Sequence, residues 1–187
     1  LIRGDKPALP RFALQWPHGL PVDLRDLLVE RLKVPRSGFL RCLVGLRLGN
    51  ENHIIKVEYD EAPYGESLEH IRRLLASVNT VVGFNLKFDL GWLARYSVFL
   101  NSHTRIFDCQ LAEFILDHQR TPYPSLANCL AKYGLAPKSD IVEREYWSKG
   151  INTDKIPYEI LSLYLQTDLE RTDELYQRLL ASGTVQH

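Results

Sequence analysis

Two rhythms of apolar residues run along the chain: short unbroken runs that suit strands, and a recurrence every three or four residues that suits helices. The run RFALQW, Arg11 to Trp16, is followed by Pro17, His18 and Gly19, which predicts a buried first strand ending in a turn. From Asp23 to Lys33, Leu24, Leu27, Leu28, Val29 and Leu32 keep a mainly helical period, with Asp23 placed as a cap after Pro21. Two extended runs, GFLRCLVGLRLG and NHIIKVEY, meet around Gly49 to Asn52, the chemistry of a tight hairpin. Leu68, Ile71, Leu74 and Leu75 predict a helix over Ser67 to Val78, and TVVGF, rich in β-branched residues, predicts a strand buried on both faces. Lys87 to Leu93 opens another helix and RIFD is a brief strand. CQLAEFILD, SLANCLAKYG and the long run from Pro157 to Leu180 are helical, with Pro157 suited to a first turn.

This order predicts an α/β fold: a mixed sheet of three antiparallel strands followed by parallel ones, flanking helices and a long C-terminal helix, close to the ribonuclease H-like arrangement. With 187 residues, 45% of them hydrophobic, the chain is long enough for one sizeable core. A single domain over residues 1–187 is therefore expected, with 1–10 a lead segment and the core at about 11–181. The absence of methionine and the leading Leu1 point to a segment of a longer polypeptide or a processed product, for which flanking domains out of sight are an expectation.

Charge narrows the choice of partner. Lysines and arginines number 23 and aspartates and glutamates 23, so no overall basic field draws in nucleic acid, which would have to be held locally. Cys42, Cys109 and Cys129 lie far apart in apolar runs without CxxC spacing, which argues for a reducing compartment and against a disulfide framework or a zinc site. No apolar stretch approaches the roughly 20 residues of a membrane span, and no signal peptide opens the chain, so a cytoplasmic domain without membrane contact is expected.

Two spacings carry candidate chemistry. In VVGFNLKFDLGWL, Asn85 and Asp89 stand four apart across the end of a buried strand and the first turn of a helix. A carboxylate there is a hard oxygen donor at the edge where α/β sheets bind ligands. The same residues read equally as a helix cap and a favourable dipole partner. In YLQTDLERTDELYQ, Tyr164 and Asp168 share one helical face, and a phenol beside a metal-ligating carboxylate can orient a water and manage its proton. Tyr164 as a half-buried core aromatic and Asp168 as a solvated acid is the plain alternative. EREYWSKG, Glu143 to Gly150, could stack on bases through Tyr146 and Trp147, or pack a loop against the last helix.

Taken together and in order, these segments resemble the second and third motifs of the proofreading 3'-5' exonucleases that carry a tyrosine in their last motif, as in family A DNA polymerases. IFDCQLAEFILD and YPSLANCLAKYGL resemble that family's intervening segments, so the resemblance spans roughly residues 11 to 180. It implies Asp89 and Asp168 as ligands of Mg2+ or Mn2+, Tyr164 as the residue that positions water, and Asn85 and Phe88 as contacts to the terminal nucleotides. Leu20 would be an apolar wedge beside the terminal base. The implied partners are the 3' end of single-stranded DNA or RNA and a flanking polymerase or other domain, in a phage or bacterial replication setting.

In that family the first strand ends in an aspartate, any residue, and a glutamate, which bridge two metals. Here the predicted first strand runs into LQWPHGL. One register puts Leu14 and Trp16 at the acidic positions and the other puts Gln15 and Pro17 there, and none of the four binds magnesium. Two aspartates are a poor cage for two ions about 4 Å apart, so at most one weakly held ion and impaired catalysis are expected. The rival expectations are a working metal-dependent 3'-5' exonuclease and a protein-interaction module on the same fold.

Overall fold

Residues 26–31, 42–57, 64–119 and 122–182 are described by a computed structural model, residues 26–31 as backbone. The first described element is a strand, β1 (Asp26–Arg31), where the apolar spacing predicted a helix over Asp23 to Lys33. The physical reason is its place in the sheet. β1 pairs antiparallel with β2 (Cys42–Leu48) and parallel with β4 (Thr80–Gly83), and its short apolar run Leu27 to Val29 is long enough for a central strand but too short to settle helix or strand by spacing. The sequence-predicted first strand, Arg11 to Trp16, lies outside the described residues, as do Leu14, Gln15, Trp16, Pro17 and Leu20. The strand that lies between β2 and β4 therefore ends in Glu30 and Arg31, and not in LQWPHGL.

The hairpin from β2 to β3 (Glu51–Val57) closes through Gly49 and Asn50, since Leu48 pairs with Glu51. Gly49 takes φ +59°, the left-handed region that glycine enters without a Cβ penalty. Helix α1 (Tyr64–Ala76) leads into β4, α2 (Leu86–Arg95) leads out of it, and β5 (Arg105–Asp108) pairs parallel with β4. Helices α3 (Cys109–Leu116), α4 (Leu126–Lys132), α5 (Ile141–Glu145) and the long α6 (Tyr158–Ala181) complete the chain, with single 3-10 turns at Trp147–Lys149 and Thr153–Lys155. The strand order is β3-β2-β1-β4-β5: antiparallel on one side of β1 and parallel on the other, the ribonuclease H-like mixed sheet the sequence predicted.

Alternation along β2 separates two layers. Val44 and Leu46 join Leu68, Ile71, Trp92 and Leu93 beneath α1 and α2. Leu43, Gly45 and Arg47 belong to the other face: Leu43 packs with Leu161, Tyr164 and Leu165, and Arg47 Nε donates to Asp173 Oδ2 at 3.1 Å. Gly45 is what lets α6 lie close, because a Cβ there would stand 2.8 Å from Leu165 Cγ and 3.0 Å from Leu169 Cδ1. Gly45→Val is expected to destabilise the domain by about 1–3 kcal/mol through overpacking, read as a lower urea midpoint. An unchanged midpoint would mean that α6 can lift from the sheet without cost.

Candidate functional site

At the exit of β4, Asn85 adopts the left-handed conformation, φ 63° and ψ 44°, which asparagine tolerates better than most residues, and turns the chain into α2. Its side chain makes no cap hydrogen bond, so the simple capping role is not what it performs. The leading donors are met from the next strand: Asn85 N–H donates to Asp108 Oδ1 at 3.0 Å and Leu86 N–H to Asp108 Oδ2 at 2.9 Å. Asp108, the last residue of β5, also accepts from Gln110 N–H at 2.9 Å and Leu111 N–H at 3.3 Å, capping α3. One carboxylate thus fixes the start of two helices. Asp89 falls in the first turn of α2 and is 4% exposed, while Phe88 beside it is 46% exposed and Asn85 is exposed.

The second half of the site lies on α6. Tyr164 and Asp168 are 5% and 6% exposed, and Tyr164 is packed with Leu43, Val142, Ile156 and Leu161. Trp147 meets the Tyr164 ring edge-on, centroids 5.9 Å apart, and donates its indole N–H to Thr153 Oγ1 at 3.1 Å. Of the two roles open to Trp147 in the sequence, packing against the last helix is the one observed. Lys138, in the segment between α4 and α5, donates from Nζ to the Tyr164 hydroxyl oxygen at 3.3 Å. Tyr164 in turn hydrogen-bonds Asp168. Burial pushes the Asp168 carboxyl up to about 6, against the opposing pull of Lys138 and Tyr164, and its Oδ1 is buried without a hydrogen-bond partner among the described residues.

Both halves reach the same edge of the sheet. β1 and β4 run parallel, α2 leaves the C-terminal end of β4, and Tyr164 packs on Leu43, which stands on β2 just past Val44, the partner of Arg31 at the end of β1. Leu165 and Leu169, which flank Asp168 on α6, close over Gly45, and Gly45 is the cross-strand partner of Glu30. The position of Glu30 is therefore level with the turn of α6 that carries Asp168. Three residues here escaped the sequence reading. Glu30 was hidden by the helical spacing around it, Lys138 sits in a loop without periodicity, and Asp108 was legible only as the end of RIFD.

Buried Glu113 shows how this chain satisfies an ordinary interior acid. Lys132 Nζ and the Tyr133 hydroxyl, at 2.7 Å, both donate to it, one to each oxygen. Asp168 has the burial without that second partner, an oxygen left open that suits a hard cation. Among the described residues no group of three or more histidines, cysteines, aspartates and glutamates is arranged to hold a metal. Among the described residues no helix is long and apolar enough to cross a membrane.

A mixed ribonuclease H-like sheet with acids at its C-terminal edge and a tyrosine one turn before the last acid defines an exonuclease-type domain. The model of the 3'-5' exonuclease family matches residues 31–183, and the chain belongs to that family. It is similar to DNA polymerase I of Aquifex aeolicus (strain VF5), 28% identical over 90 residues that make up 48% of this chain and 14% of that protein, so the chain spans only a small part of this relative. Among solved structures, Brucella melitensis NrnC with bound Mg2+ is 18% identical with a TM-score of 0.50, and a further structure of Brucella melitensis NrnC is 15% identical with a TM-score of 0.50. Each covers 86% of this chain and 76% of its own, and the likeness is one of fold.

The Asp168 carboxyl gives a test by pH. Its folded value, about 6, lies above the ordinary aspartate value of 3.8, so protonation favours the folded state and the associated stability is lost as pH rises from about 4 through about 6. In metal-free buffer Asp168→Asn is expected to melt close to wild type at acid pH and to be more stable by about 2–3 kcal/mol at pH 8, read by thermal denaturation. A difference independent of pH would remove this account.

Proposed function

We propose that this domain is a metal-dependent 3'-5' exonuclease of reduced power, acting on the 3' end of single-stranded DNA or RNA. The observation that carries the reading is the buried, open oxygen of Asp168 beside Tyr164, at the sheet edge where α2 sets Asp89. Asp89 and Asp168 would hold one Mg2+ or Mn2+, an ion that would polarise water and offset phosphate charge. Tyr164 orients that water through its hydroxyl, and exposed Phe88 with Asn85 contacts the terminal nucleotides. Hydrolysis adds water oxygen to the terminal phosphorus and breaks the bond to the preceding 3' oxygen. That oxygen gains a proton, and a shortened strand and a mononucleotide leave.

Reduced power follows from the end of β1. With β1 taken as the family's first strand, the two acid positions spaced by one residue read Glu30 and Leu32: one carboxylate where the family has two. This supplies an acid that LQWPHGL would not, yet leaves the cage short of the charge that two ions need. The Mg2+ in the NrnC structure supports the choice of metal, and the match to a polymerase supports a flanking polymerase domain as the setting.

Calorimetric titration with Mg2+ and Mn2+, run beside a 5'-labelled single strand, tests the reading. One ion per chain, stepwise loss of 3' nucleotides, and a rate about 100-fold lower in Tyr164→Phe are expected. If ion binding matches that of an Asp89→Asn, Asp168→Asn double variant and the strand stays intact, the domain is a binding or interaction module on this fold.

A further inference from the structure

The proposed site contains a cation that the reading so far leaves idle. Lys138 Nζ lies 3.3 Å from the Tyr164 hydroxyl oxygen, is half-buried, and is close enough to act electrostatically on Asp168. The hydrogen bonds have a direction: the ammonium donates to the phenol oxygen, which leaves the phenol proton for the Asp168 carboxylate. Among the described residues Tyr164 is the hydrogen-bond partner of Lys138, and Lys138 makes no ion pair, so one of its three N–H donors is engaged. Lys132 and Lys149, by contrast, meet carboxylates directly, at Glu113 and Glu145. Among the described residues Lys138 has donors without a protein partner next to Asp168, whose own buried Oδ1 is unpartnered there.

We infer that Lys138 is a phosphate-binding residue of this site: its ammonium takes a non-bridging oxygen of the 3'-terminal phosphodiester while it steadies the Tyr164 hydroxyl. The inference rests on the exonuclease reading above and adds to it the source of positive charge. A site with carboxylates for one ion can offset only part of the charge on the phosphate with that ion. A lysine fixed at the tyrosine supplies the rest without demanding another acid, because an ammonium is a compact point charge with several donors. It also explains how a chain of zero net charge holds a polyanion locally.

The test uses the chain with Lys138→Gln and Lys138→Arg, each checked for a wild-type melting profile. Binding of a fluorescein-labelled single-stranded oligonucleotide is followed by anisotropy in EDTA over a range of salt, and Mg2+ affinity by calorimetry without nucleic acid. Lys138→Gln is expected to weaken oligonucleotide binding about tenfold and to flatten the dependence of log K on log salt by about 0.7, with Lys138→Arg in between. Mg2+ affinity should rise in Lys138→Gln, since a neighbouring positive charge is removed. A merely structural lysine would lower both affinities together. Unchanged oligonucleotide affinity and salt slope in Lys138→Gln, with wild type binding normally, would overturn the role of Lys138 and leave the exonuclease reading intact. Wild type that binds neither strand nor ion would overturn both.

Discussion

The carboxylate of Asp108 is the constraint on which the site's geometry depends. It accepts N–H groups from Asn85, Leu86, Gln110 and Leu111, so the first turns of α2 and α3 are tied to the end of one strand. Helix N-termini leave donors unsatisfied and carry partial positive charge, and a single half-buried acid at a strand end answers both needs for two helices at once. Asn85 can then spend its backbone on a left-handed turn and keep its side chain exposed. The placement of Asp89 follows, because a residue in the first turn of a helix goes where that turn is fixed.

The opposite wall is set by packing. α6 reaches the sheet because Gly45 offers no side chain to Leu165 and Leu169, and that close approach buries Tyr164 and Asp168. Burial disfavours the charged form of Asp168, and the Lys138–Tyr164 hydrogen bonds answer part of that cost while one oxygen stays open. Fold and site are therefore linked: the contact that makes α6 part of the core also raises the proton affinity of the acid it carries.

How much of this was legible in the sequence depended on length and context. The hairpin, β4, β5, α3 and α6 follow from local pattern, since each is long enough or bounded clearly enough by turn residues for one period to dominate. Tyr164 and Asp168 were found because a four-residue spacing on a long helix fixes a common face. β1 was misread, because Leu24, Leu28 and Leu32 keep a helical interval across a strand of only six residues, and pairing with β2 and β4 on its two sides decides its state. That misreading hid Glu30 near the end of β1. Lys138 and the double cap of Asp108 depend on contacts across 26 and 23 positions of chain, which no local rhythm encodes.

The open oxygen of Asp168 also bears on whether the domain is a relic. A fold kept only as a scaffold gains nothing from an interior acid that resists ionising, and a single nucleotide change turns aspartate into asparagine of nearly the same shape. What aspartate offers at this place, and asparagine does not, is a negative charge held inside the protein against the resistance of its own burial.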